Sequence, residues 1–286
     1  MKFQLLGIAV LCLVAALMAP LFFHFGEALR PAAATYPAPR SASLGCPLGQ
    51  RSGAGGRMQG KSAQGVPFAV VTPLNYRADV AHPLLVVYAP AGFSPGLSER
   101  YAGLTHAATA AGFVVSYVGS LRMSLEAVDR MATVADEVLK TWCIDPSRVY
   151  ATGHSDGGTM ATAVATLPRY REGVRGIVVS GMGWQKLDFD ATQCPAAKPV
   201  MILHGAQDTH FPGFGRQAAQ WWSACNRCTD AGEPGLAQDG DERCHHYQGC
   251  AADTVYCEAQ RSHWRWAGEP QQVVEFLSHR DRALQP

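Results

Sequence analysis

Residues 148–167, RVYATGHSDGGTMATAVATL, read as a short buried strand, a glycine-rich turn and a helical run. A strand that turns this sharply into a helix through a serine needs small residues two before and two after it, because the backbone is crowded there. Gly153 and Gly157 meet that need. The turn belongs to a mostly parallel sheet with helices on its faces, and it lifts the Ser155 hydroxyl to the carboxyl edge, where sites collect in such sheets.

The same G-x-S-x-G pattern occurs a second time, as GFSPG at residues 92–96. The two serines differ in the residue that follows. A nucleophilic serine at such a turn uses the next backbone N–H to stabilise the negative oxygen of a tetrahedral intermediate. Asp156 has that N–H, whereas Pro95 after Ser94 does not. Losing one such donor costs about 3 kcal/mol in the barrier, so Ser155 is the candidate nucleophile and Ser94 a turn residue.

The rest of the chain alternates short apolar runs with helical ones, as a parallel sheet covered by helices requires. Strands are expected near residues 67–73, 84–90, 113–118, 148–152, 176–181, 199–205 and 254–259. Helices are expected near Glu99–Ala111, Leu125–Thr141, 159–167, Gly215–Ala224 and Pro270–His279. In Leu125–Thr141 the apolar residues Val128, Met131, Val134 and Val138 recur at helical spacing. There are no internal repeats. The fold class is therefore α/β, and 286 residues suit one core of that type.

A serine hydroxyl becomes a nucleophile when a histidine takes its proton and a carboxylate holds the histidine. On this kind of sheet the chain order is serine, acid, histidine. Asp208 follows the strand PVMILHG at its carboxyl end, which makes it the candidate acid; Asp188 and Asp190 lie farther from their strand and read as solvated loop acids. His210 is too close in sequence to Asp208, His245 and His246 sit in a cysteine-rich insertion, and His279 belongs to the last helix. His263, on the loop after TVYCEA, is the candidate base. His154 is expected to pack under the turn.

The N-terminus bears on the compartment. Lys2 precedes an apolar run at residues 5–23, which gives way to His24, Glu27 and Arg30. This is an export signal, longer than the ~7–15 apolar residues of a typical cleaved one and close to the ~20 that span a bilayer. Residues 1–30 therefore read as a signal peptide, cleaved at the A-x-A pattern of Ala32 and Ala34, or as a retained membrane anchor. Residues 31–64, rich in Pro, Ala, Gly and Ser, read as a linker and N-terminal arm, and residues 65–286 as the catalytic domain.

Outside the apolar run lie Cys46, Cys143, Cys194, Cys225, Cys228, Cys244, Cys250 and Cys257. An even number in an exported chain implies disulfides, with roughly a hundred connectivities open. The competing arrangement is a zinc site built from Cys225, Cys228, Cys244, His245 and His246. With 24 Lys and Arg against 23 Asp and Glu and no basic block, nucleic acid is not an expected partner.

These residues resemble the secreted esterases grouped with polyhydroxybutyrate depolymerases, feruloyl esterases and acetylxylan esterases. The likeness covers most of residues 45–279 and is carried by SLGCPLG, CIDPSRVYATGHSDGGTMA, PVMILHGAQDTHFP and SHWRWAG. It implies an α/β-hydrolase fold, a Ser155, Asp208 and His263 triad, and no cofactor or metal. The chain departs from the group's pattern at two places. Ala89 and Pro90 stand where the group carries His-Gly, which points to the Ala91 N–H, with Gly92 next, as the second oxyanion donor beside Asp156. The loop after His263 is a residue longer than the group's His-Thr-Trp-Pro-Gly.

Trp184, Trp264 and Trp266 are candidates for receiving substrate, against a scaffold role for each. The expected activity is an exported serine carboxylesterase, secreted, periplasmic or membrane-anchored through its N-terminus. Its substrate would be a polyester, a feruloylated or acetylated polysaccharide, or a small ester. A serine peptidase and a non-catalytic binding module are the alternatives.

Overall fold

The computed structural model describes residues 46–47, 49–230, 243–266 and 268–283. The apolar run at 5–23 and the arm up to residue 45 lie outside these. Along the chain the elements are β1 (Arg57–Lys61), β2 (Pro67–Val71), β3 (His82–Tyr88), α1 (Pro95–Ala102), α2 (Thr105–Ala110), β4 (Val114–Val118) and α3 (Leu125–Thr141). They continue as β5 (Ile144–His154), α4 (Asp156–Thr166), β6 (Gly176–Ser180), α5 (Lys186–Asp190), β7 (Val200–Gly205), α6 (Phe214–Cys225), β8 (Arg243–His246), β9 (Thr254–Ala259) and α7 (Pro270–Ala283).

The strands form one sheet in the order β1-β2-β4-β3-β5-β6-β7-β9-β8. From β4 to β9 all neighbours pair in parallel, and β1, β2 and β8 add antiparallel edges. In β3 every residue of HPLLVVY is buried, as expected of a parallel strand covered on both faces. Leu84, Val86 and Tyr88 face a core that includes Val128, Met131 and Val138 of α3, Met160 and Val164 of α4, and Trp222 of α6. Leu85 and Val87 face the opposite core, with Ala108 of α2 and Val273 and Leu277 of α7.

Four elements differ from the sequence reading, one of them the short helix α5, which holds Asp188 and Asp190 where a loop was expected. The helix expected over Glu99–Ala111 is two helices, because α1 ends on Gly103 in the left-handed region, φ 64°. Ser94 caps α1, its hydroxyl accepting from the Leu97 N–H, with Pro95 in the first turn; GFSPG is thus a helix start. The stretch read as an N-terminal arm contributes β1, so the sheet begins before residue 65. RMQGK is exposed at all five positions and carries no apolar alternation, which is why the edge strand left no signal. β8, inside the cysteine-rich insertion, is missed for the same reason.

All eight cysteines outside the apolar run pair: Cys46–Cys143, Cys194–Cys225, Cys228–Cys250 and Cys244–Cys257. The zinc arrangement is overturned, since Cys225, Cys228 and Cys244 each bond to a different cysteine. The bridges span 97, 31, 22 and 13 residues, so the longest removes the most freedom from the unfolded chain. Among the described residues no helix is long and apolar enough to cross a membrane.

Lys198, just before β7, is buried, and its Nζ donates to the carbonyls of Ala165, Arg171 and Val174 at 3.1, 2.6 and 2.9 Å. Burial lowers its pKa to about 8, which leaves it charged at neutral pH and supplies three protons to three acceptors. Lys198→Met should lower unfolding stability by about 3 kcal/mol in urea titrations. A loss under about 1 kcal/mol would contradict this role.

Candidate active site

Ser155 joins β5 to α4 with φ 56° and ψ −122°; besides Arg227 it is the one non-glycine residue at positive φ among the described residues. Holding such a conformation costs about 1–3 kcal/mol and needs a surrounding that fixes it. The Ser155 N–H donates to the Ser180 carbonyl at the end of β6, 3.0 Å away. A Cβ at Gly157 would lie 2.0 Å from the Tyr88 carbonyl oxygen, so only glycine lets α4 start this close to the end of β3.

Asp208 follows β7 after a tight turn in which its N–H bonds the Gly205 carbonyl at 3.0 Å. Its Oδ1 accepts from the backbone N–H groups of His210 and Phe211, each at 2.9 Å. Its Oδ2 lies 2.7 Å from His263 Nδ1, and His263 Nε2 lies 2.9 Å from Ser155 Oγ. The two side chains are 5 % and 1 % exposed for His263 and Asp208, so little water competes for these bonds. Burial alone would raise the Asp208 pKa; the hydrogen bond from His263, that from Phe211 and the nearby His263 and His204 outweigh it and hold the group below its ordinary value. A carboxylate accepts only, so His263 carries its proton on Nδ1 and offers Nε2 to the serine O–H.

The three residues expected to act together are therefore contiguous. Ala91 sits in a turn in which the Phe93 N–H bonds the Pro90 carbonyl at 3.1 Å and Gly92 takes φ 75°. The Ala91 residue is exposed, and no hydrogen bond among the described residues uses its N–H. The Asp156 N–H opens α4, where first-turn donors have no acceptor within the helix. Burial raises the Asp156 carboxyl pKa.

Of the three tryptophans, Trp264 is 72 % exposed, while Trp184 packs on Phe189 and Trp266 against the α7-side core. Trp184 and Trp266 are thus partly buried. Asp188 caps the short helix α5 and Asp190 pairs with Lys186, both exposed. His210, set aside as the base for its nearness to Asp208, stacks its ring on His263 at 4.8 Å and meets Trp264 edge-on at 5.0 Å, a contact the sequence did not show. Its place two residues after the acid, on the turn the acid itself caps, was the available signal.

A nine-stranded, mostly parallel sheet with helices on both faces and a serine at a strand-to-helix elbow is an α/β-hydrolase fold. Solved structures share it: the acetyl xylan esterase from Aspergillus awamori superposes with a TM-score of 0.55 over 78 % of this chain and 99 % of that one, at 14 % identity. Est1E from Butyrivibrio proteoclasticus gives 0.52 over 80 % and 98 %, also at 14 % identity. A puromycin-hydrolysing peptidase of Mycobacterium tuberculosis gives 0.52 as well, over 78 % of this chain and 38 % of its own, at 16 % identity. In sequence, feruloyl esterase B of Piromyces equi is 26 % identical over 209 residues, 62 % of this chain; the chain spans 38 % of that relative's length. No family model matches.

Because the Asp208 pKa is lower folded than unfolded, its contribution to stability is present above the ordinary aspartate value of about 4 and is lost as pH falls through the folded value. The stability gap between wild type and Asp208→Asn in urea titrations should shrink as pH is lowered from about 5 to 3. A gap of constant size would contradict the assignment.

Proposed function

We propose that the protein is an exported serine carboxylesterase acting through an acyl-enzyme on Ser155. The observation that carries this reading is the unbroken chain of hydrogen bonds from Asp208 to His263 to Ser155. In the reaction His263 Nε2 takes the serine proton as Oγ attacks the ester carbonyl carbon. The C=O electrons move onto oxygen, where the Ala91 and Asp156 N–H groups stabilise the charge. The imidazolium, held by Asp208, then gives its proton to the departing alcohol. Water deprotonated by His263 attacks the acyl carbon, and Ser155 is restored. Each step draws on this chain's own groups.

The names of the relatives suggest feruloylated or acetylated polysaccharide as substrate, ahead of polyester or a small soluble ester. Trp264, exposed beside His210, offers a flat face to an aromatic acyl group or a sugar. Four disulfides and the apolar N-terminal run support an oxidising compartment, secreted or periplasmic, with membrane contact only through that run if it is retained.

Purified protein should turn over p-nitrophenyl acetate and at least one of methyl ferulate, acetylated xylan and polyhydroxybutyrate. Ser155→Ala and His263→Ala should each lower kcat by about 10⁴-fold or more. Cleavage of a peptide p-nitroanilide without ester turnover would replace this reading with a peptidase; no turnover of either by well-folded protein would leave a binding module. Trp264→Ala should raise KM for methyl ferulate about threefold to tenfold and leave p-nitrophenyl acetate nearly unchanged. Equal effects on both would remove Trp264 from the acyl subsite.

A further inference from the structure

His154, the residue immediately before the serine, is buried, and both of its ring nitrogens are engaged. Nε2 lies 2.7 Å from the main-chain carbonyl oxygen of His263, and Nδ1 lies 2.9 Å from Ser180 Oγ. A carbonyl only accepts, so Nε2 carries the proton, and Nδ1 of the neutral ring accepts from the Ser180 hydroxyl. Burial first, and then the neighbouring His263, lower the His154 pKa to about 4, which keeps the ring neutral and this tautomer fixed at neutral pH.

The Ser180 carbonyl accepts the Ser155 N–H, so one residue at the end of β6 holds both the nucleophile's backbone and the ring beside it. Among the described residues, the His154 bond is the one hydrogen bond at the His263 main chain. Gly181 makes room for the arrangement. It adopts φ 49°, and a Cβ there would lie 3.0 Å from His154 Cε1 and 3.4 Å from His263 Nδ1, tight against one imidazole and touching the other.

We propose that His154 is a positioning residue for the base, a strap that runs from Ser180 through the His154 ring to the His263 carbonyl and fixes the loop carrying His263 against the nucleophile elbow. Asp208 orients the His263 ring, and the strap sets where the backbone beneath that ring sits. The inference rests on the esterase reading for its kinetic consequence. A misplacement on the order of 1 Å between reacting groups costs about a hundredfold in rate, so the effect falls on kcat.

The test compares wild type with His154→Phe, His154→Gln and Ser180→Ala. His154→Phe should lower kcat for p-nitrophenyl acetate by roughly tenfold to hundredfold with KM within about twofold. His154→Gln, whose amide can still donate to the carbonyl, should recover part of the loss. Ser180→Ala, which frees the ring to turn, should give a smaller fall. In proton NMR the low-field His263 Nδ1–H resonance should broaden or move in His154→Phe and be nearer wild type in His154→Gln.

A His154→Phe protein with kcat within twofold of wild type and an unchanged resonance would overturn the strap. So would His154→Gln showing no recovery. If the phenylalanine variant does not fold, the glutamine and Ser180→Ala variants decide: loss of kcat in neither, with the resonance unmoved, overturns it. Absence of ester turnover in wild type would instead sink the esterase reading, and the resonance would still judge the strap.

Discussion

The site depends on one strained residue. Ser155 holds a positive φ that most side chains avoid, and the backbone around it pays that cost back through contacts that exist only if the strand and helix meet here. Its N–H is tied to β6, Gly157 lies against the end of β3, and α4 leaves at once, its first N–H groups having no acceptor within the helix. Three parallel strands thus converge on one hydroxyl. The long buried core beneath them supplies the rigidity.

Around that hydroxyl Asp208 and His263 are buried, and both are hydrogen-bonded in one line with Ser155. Asp208 uses one oxygen on the backbone of its own turn and the other on His263, so its own turn holds it in place for the base. Such a network in a dry setting is stiff, and leaving any member unpaired would be costly. The aromatic packing adds to this: His210 stacks on one face of the His263 ring, and Phe211 meets it edge-on at 5.1 Å. Trp264 meets both imidazoles edge-on, at 5.0 Å from His210 and 5.9 Å from His263, while most of its surface faces solvent.

The sequence told most where chemistry and backbone geometry coincide. GHSDGG was readable because crowding dictates glycine at set positions, and Pro95 removed GFSPG because proline has no N–H. Asp208 and His263 followed from chain order and strand ends. Edge strands were not readable: RMQGK and RCHH bury little, so no hydrophobic period marks them. Nor could spacing reveal the disulfide partners, which depend on tertiary contacts 13 to 97 residues apart. His154 and His210 were legible as residues near the site, yet their partners, a main-chain carbonyl and a ring face, carry no sequence signature.

The central claim is that Ser155, activated by His263, is the nucleophile. Treating folded protein with a fluorophosphonate and mapping the adduct by mass spectrometry tests it most directly. A single stoichiometric phosphonyl group should form on Ser155 and none on Ser94, with labelling abolished in Ser155→Ala and strongly slowed in His263→Ala. An adduct on another residue, or no adduct on well-folded wild-type protein, would contradict it.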